Sequence, residues 1–124
     1  RAPPDRYGMV FFMSLPHPLP GELSDLIAAR FRVLSEPMRI TLVDRLREGE
    51  ACVGDLVEAT GASQQNVSKH LGVLLQAGIV GRRQQGNFAY YRIVDEGVLG
   101  LCEQVCGSMQ RQLEELSALI GKRA

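Results

Sequence analysis

Tryptophan is absent from the 124-residue sequence, and four Phe and three Tyr are its only aromatic side chains. Histidine occurs twice, at His17 and His70. Imidazole-rich ion sites of the nickel or cobalt kind therefore have too few ligands. Cysteine occurs three times, at Cys52, Cys102 and Cys106. An odd count without a secretory signal argues against a disulfide framework and for a cytoplasmic protein. No apolar run approaches the ~20 residues that a membrane-spanning helix needs; "MVFFMSL" falls well short. Internal repeats are missing. So are a phosphate loop, a Ser-His-Asp arrangement and paired acids in an apolar setting, and nothing marks an enzyme.

Acidic residues are missing from one long window. None lies between Ala59 and Val94, where Lys69, Arg82, Arg83 and Arg92 all fall. Asp44, Glu48, Glu50, Asp55 and Glu58 precede the window, and Asp95, Glu96, Glu103, Glu114 and Glu115 follow it. The formal net charge of zero, taken alone, argues against a polyanionic partner. The distribution argues the other way, because local sign sets the field at a binding face.

What is present reads as one domain. Five of the six prolines lie in the first twenty residues. Residues 1–20 are therefore expected to form an N-terminal extension or arm, and 21–124 the domain. "GELSDLIAARFRVL" puts Leu23, Leu26, Ile27, Phe31 and Leu34 on one helical face. Pro37 suits the first turn of a second helix, with Ile40, Leu42, Val43 and Leu46 inward and Gly49 as a stop. "CVGDLVEATG" and "SQQNVSKHLGVLLQAG" are two more helices, joined only by Gly61-Ala62, with Ser63 as a cap and Gly78 as an end. Two short helices across a tight Gly-containing turn form a helix-turn-helix. "IVGRRQQGNFAYYRIV" reads as a β-hairpin turning at Gly86-Asn87, with Arg82 and Arg83 on its first strand. From Asp95 to Lys122 a long helix carries Leu99, Cys102, Cys106, Met109, Leu113, Leu116 and Ile120 in alternating steps of three and four. Such a heptad-like seam packs on another helix, often in a second subunit.

The helix from Ser63 has an unusual polar face. A solvated face carries Glu and Lys; this one carries Gln64, Gln65, Asn66, Ser68 and Lys69. Gln and Asn can bond adenine N6 and N7 in the major groove, Ser serves either base, and Lys takes guanine or phosphate. A carboxylate there would be repelled by phosphate. The bland reading is a solvated helix in an all-α domain, and it leaves the neighbouring arginines of the hairpin unexplained.

The order helix-turn-helix, hairpin, long terminal helix is that of a winged helix-turn-helix. The segments "VLSEPMRITLVDRL", "ACVGDLVEATGASQQNVSKHL" and "LLQAGIVGRRQQGNFAYYRI", followed by the terminal helix, resemble the arsenic-repressor (ArsR/SmtB) family of bacterial transcriptional repressors over about Leu23 to Ile120. The resemblance implies a mainly α homodimer with a β-hairpin wing that binds a palindromic operator and is released by a metal ion or another signal. It implies a recognition helix at Ser63 to Leu75 and a wing at Val80 to Arg92. The dimer helices would be the first, through Leu26, and the last, through Leu99, Met109, Leu113, Leu116 and Ile120. His70 belongs to the "SKHL" signature and is expected to touch phosphate or to pack. His17, in the arm, reads as solvated.

The family's sensor sites fit unevenly. Its terminal-helix zinc site needs Asp, His, His and an acid; Asp95 matches the first, and Gly97, Ser108 and Arg111 occupy the others. Its thiolate motif Glu-Leu-Cys-Val-Cys-Asp-Leu reads Glu50-Ala51-Cys52-Val53-Gly54-Asp55-Leu56 here, so one of two cysteines is lost. Cys52 falls near a helix N-cap, where the macrodipole favours a thiolate. Cys102 and Cys106, four residues apart on one helical face, have Cβ atoms about 5–6 Å apart. The expected metal ligands are thus Cys102, Cys106 and Cys52, with As(III), Hg(II) or Cd(II) as inducer, while Zn would want a fourth ligand. Competing readings are a thiol-redox or sulfur-sensing repressor of the same fold, and inert core cysteines in a member with an unrelated signal.

Overall fold

The computed structural model describes residues 16–123. The arm expected over 1–20 lies, through residue 15, outside them. The chain divides into two compact units, one ending at Val94 and one beginning at Asp95.

In the first unit the order is α1 (Gly21–Leu34), α2 (Pro37–Leu46), β1 (Ala51–Cys52), α3 (Val53–Thr60), α4 (Gln64–Gln76), β2 (Val80–Gln85) and β3 (Phe88–Ile93). Pro37 opens α2, where its missing N–H costs nothing. Gly61 ends α3 at φ +73°, donating to Val57 O at 2.9 Å, a left-handed conformation that glycine takes without strain. Thr60 Oγ1 donates back to Leu56 O at 2.7 Å and accepts the Ala62 N–H at 3.2 Å, which fixes the turn into α4. Gly78 closes α4. Its N–H reaches Leu75 O and that of Ile79 reaches Leu74 O, both at 3.0 Å, so the last carbonyls are satisfied in a Schellman motif.

β2 and β3 pair antiparallel, Val80 opposite Ile93 through Gln85 opposite Phe88, across the two-residue turn Gly86-Asn87. The sequence did not disclose β1. It adds a third strand beside β3, with Ala51 opposite Tyr91 and Cys52 opposite Tyr90.

The core of this unit is Leu34, Leu42, Val43, Leu46, Leu56, Val67, Leu71, Leu74, Ile79, Val80 and Tyr91. One sequence expectation needs correction. Ile40 points outward. The position that completes the Leu42–Val43–Leu46 stripe is Arg39, which donates through Nε to Val33 O at 2.6 Å. On α1 only Leu34 is buried, while Leu26 and Phe31 are exposed.

The second unit is α5 (Glu96–Arg123). Asp95 caps it: Oδ1 accepts the Gly97 N–H at 3.1 Å. Val105, Met109, Leu113, Leu116, Leu119 and Ile120 are all exposed, and their spacing puts them on one stripe of the helix.

Gly72 lies inside α4 with nothing within 4 Å of the place a Cβ would occupy. Gly72→Ala is therefore expected to stabilise the first unit by about 0.5–1 kcal/mol, the propensity difference with no clash against it. Chemical denaturation checks this; a loss of stability would mean that the space is not open.

Candidate nucleic-acid interface

Helix α4 is held by one face and offers the other. Val67, His70, Leu71 and Leu74 recur at steps of three and one and are buried. Ser63 begins the helix, its Oγ accepting the Asn66 N–H at 3.1 Å, so its hydroxyl serves the fold as well as any partner. Gln64, Gln65, Ser68, Lys69, Gly72, Leu75 and Gln76 form the outward stripe, all exposed, and Asn66 sits half-buried at its edge. Of the expected DNA contacts on α4, the structure therefore groups Gln64, Gln65, Ser68 and Lys69 on one surface and places Ser63 and Asn66 at its margin.

His70 leaves the set. It is 6% exposed, and its Nδ1 lies 3.3 Å from Arg39 Nη1. Three residues from Val67 and four from Leu74, it belongs to the inward stripe. Of the two roles expected of His70, phosphate contact or packing, its burial bears out packing and removes it from the DNA-facing surface. Arg39, which sequence reasoning did not single out, satisfies it; an inward polar position 31 residues away leaves no local signal.

The first strand of the wing places its two arginines on opposite faces of the hairpin. Arg82 is on the face of Val80 and Tyr91 and donates through Nη2 to Gln84 Oε1 at 3.0 Å. Arg83 is on the face of Tyr90. Its Nε and Nη2 donate to the two carboxylate oxygens of Glu50 at 2.8 and 2.7 Å, and Nη1 donates to Gln85 Oε1 at 2.6 Å. The guanidinium carbon stands 4.8 Å from the Tyr90 ring centre. Glu50 lies outside the acid-free window in sequence, but the fold carries it onto the wing beside β1. The Arg83 hydrogen bonds hold its carboxyl below the usual carboxylate range, aided by the charges of Arg83 and Arg92 and opposed by desolvation. A depressed carboxylate keeps its partner above its unfolded pKa and loses it as the pH falls through the folded one. The pair thus stands at neutral pH and opens only in acid.

The cysteines are distributed over both units. Cys52 is half-buried at the N-cap of α3, with its backbone N–H donating to Asp55 Oδ2 at 3.2 Å. On α5, Cys102 is half-buried and Cys106 exposed. Among the described residues, no group of three His, Cys, Asp or Glu side chains is gathered closely enough to hold an ion. Asp95, the one residue that matches the zinc pattern, caps α5. Among the described residues, no helix is long and apolar enough to cross a membrane.

Residues 36–81 match the family described as bacterial regulatory protein, arsR family. The arsenical resistance operon repressor of Bacillus subtilis is 34% identical over 79 residues, which cover 62% of this chain and 75% of that protein. The chain belongs to the ArsR family. Its fold agrees with solved structures. A homodimeric winged helix-turn-helix DNA-binding domain from Mycobacterium bovis, described as a possible ArsR-family regulator, superposes with a TM-score of 0.69 at 32% identity, covering 76% of this chain and 87% of that one. The antimony-specific transcriptional repressor AntR superposes with a TM-score of 0.74 at 29% identity, covering 83% and 94%. This ArsR-family chain is a winged helix-turn-helix, mainly helical with a small antiparallel sheet. It spans only 61% of the length of other curated relatives, to which it is 39% identical over 82 residues.

Proposed function

We propose that the protein is a cytoplasmic, homodimeric transcriptional repressor without enzymatic activity, which reads operator DNA with α4. One observation carries this reading: an uncharged, hydrogen-bonding stripe of Gln64, Gln65 and Ser68, with Lys69 beside it, faces outward from a helix anchored by a fully buried opposite side. Such a surface is poor as a solvated face and apt for base edges. Arg82 of the wing and Lys69 supply sequence-independent attraction to phosphate. The exposed apolar stripe of α5 supplies a surface for a second copy, and α1 separately leaves Leu26 exposed.

The experiment is Gln65→Ala measured on operator and on random duplex. Operator affinity should fall by about 1–3 kcal/mol, with random DNA spared. Equal losses on the two would remove the base-reading role.

The inducer of this repressor is a thiophilic ion of the As(III), Hg(II) or Cd(II) class. Two relatives support the class, since their names tie them to arsenic and to antimony, both of which bind sulfur. The chain has three thiols and, with two histidines, little nitrogen to compete with them. Cys102 and Cys106 form the core of the site, one helical turn apart on the apolar side of α5, and Cys52 is the third thiolate, from the same subunit or its partner.

A further inference from the structure

The fold brings the acid Glu50 against the wing, where it engages the Arg83 guanidinium. Arg83 has five N–H donors. Two go to the Glu50 carboxylate as a fork and one to Gln85. Tyr90 stacks beneath the guanidinium, so side chain and carboxylate are fixed in one orientation. Neither partner is deeply buried: the side chains are 46% and 28% exposed. A phosphate can therefore reach the same edge of the guanidinium, and it wants the same bidentate geometry. The carboxylate and a DNA phosphate compete for one cation.

The geometry points to Glu50 as a positioning residue that sets how strongly this protein holds DNA: it occupies Arg83 and withholds one phosphate contact from the wing. The inference rests on the DNA-binding reading and adds to it a restraint on sequence-independent affinity. A repressor must leave non-operator DNA in order to search, and the phosphate term dominates non-specific binding. Glu50 lowers that term without touching the base-reading stripe of α4. Its position is set by the fold: it precedes β1, whose Cys52 lies opposite Tyr90, and Tyr90 lies opposite Arg83 on the other side of β3.

The test uses the full chain and a fluorescein-labelled duplex of random sequence, titrated by anisotropy from about 50 to about 200 mM salt. Glu50→Gln keeps the shape and removes the charge. It should steepen the plot of log affinity against log salt by about 0.9, which amounts to about eightfold tighter binding for each tenfold drop in salt. Glu50→Ala should do the same, so the result does not hang on one substitution. Arg83→Gln should weaken binding, because it leaves the acid facing phosphate. The double variant Glu50→Gln with Arg83→Gln should return to the wild-type slope. If Glu50→Gln and Glu50→Ala bind no more tightly than wild type, or more weakly, Glu50 is a strut and the inference is overturned. A double variant that stays steep would show that the cation released is not Arg83, and would overturn it as well. Wild type that fails to bind the duplex at any salt would instead remove the DNA-binding reading, and this inference with it.

Discussion

A protein carrying Leu113→Glu and Leu116→Glu together is expected to sediment as a monomer and to lose operator binding. Both leucines stand 62% and 53% exposed on the apolar stripe of α5, so within the single chain the substitutions remove little packing. In a dimer they would place four carboxylates in an apolar seam, and an unpaired buried charge costs several kcal/mol. The consequence for DNA is larger than for the fold. Two half-sites lie about 34 Å apart, one helical turn, and only a dimer holds both at once. Losing the tethered second contact lowers operator affinity by about 10²–10⁴-fold. Sedimentation and operator titration read the two effects separately. A variant that stays dimeric would show that the stripe is not the subunit interface.

The second large effect concerns the inducer. To release a repressor decisively, an ion must favour the released form by about 5 kcal/mol, roughly 10⁴-fold, which soft metal–thiolate bonding can supply. Cys102→Ser and Cys106→Ser each remove a thiolate and nearly preserve volume. Each is expected to leave the repressor on its operator at concentrations of As(III), Hg(II) or Cd(II) that release wild type. Cys52→Ser should weaken the response if its thiolate is the third ligand. The measurement is operator release against ion concentration in the four proteins. Normal release by both α5 variants would make those cysteines packing residues and place the sensor elsewhere.

The helices were legible because their signals are local. Pro37 at a first turn, Ser63 as a cap, Gly61 and Gly78 as ends, and the Gly86-Asn87 turn are each encoded within a few residues. The outward stripe of α4 was legible for the same reason, since period and composition name both of its faces. What escaped is non-local or too short. β1 has two residues, below any detectable periodicity, and exists because β3 offers an edge. Arg39 took an inward place that hydrophobic counting assigns to Ile40, because it meets the Val33 carbonyl and His70. The acid-free window overstated the wing's positive charge: Glu50 is 33 residues from Arg83 in sequence, yet its carboxylate oxygen lies 2.7 Å from the guanidinium. Leu26 fits the helical face of α1 by spacing, yet it is exposed in the single chain, which suits a surface kept for a partner.

Which surface meets DNA decides whether this protein reads an operator with α4. The direct measurement is a titration of isotope-labelled protein with a duplex from its own promoter region, followed by amide and side-chain NMR shifts. The largest changes should fall on Gln64, Gln65, Ser68 and Lys69, including the two glutamine side-chain amides, with Arg82 and its neighbours in β2 next and the buried His70 little affected. Changes confined to other surfaces, with the outward stripe of α4 silent, would contradict it.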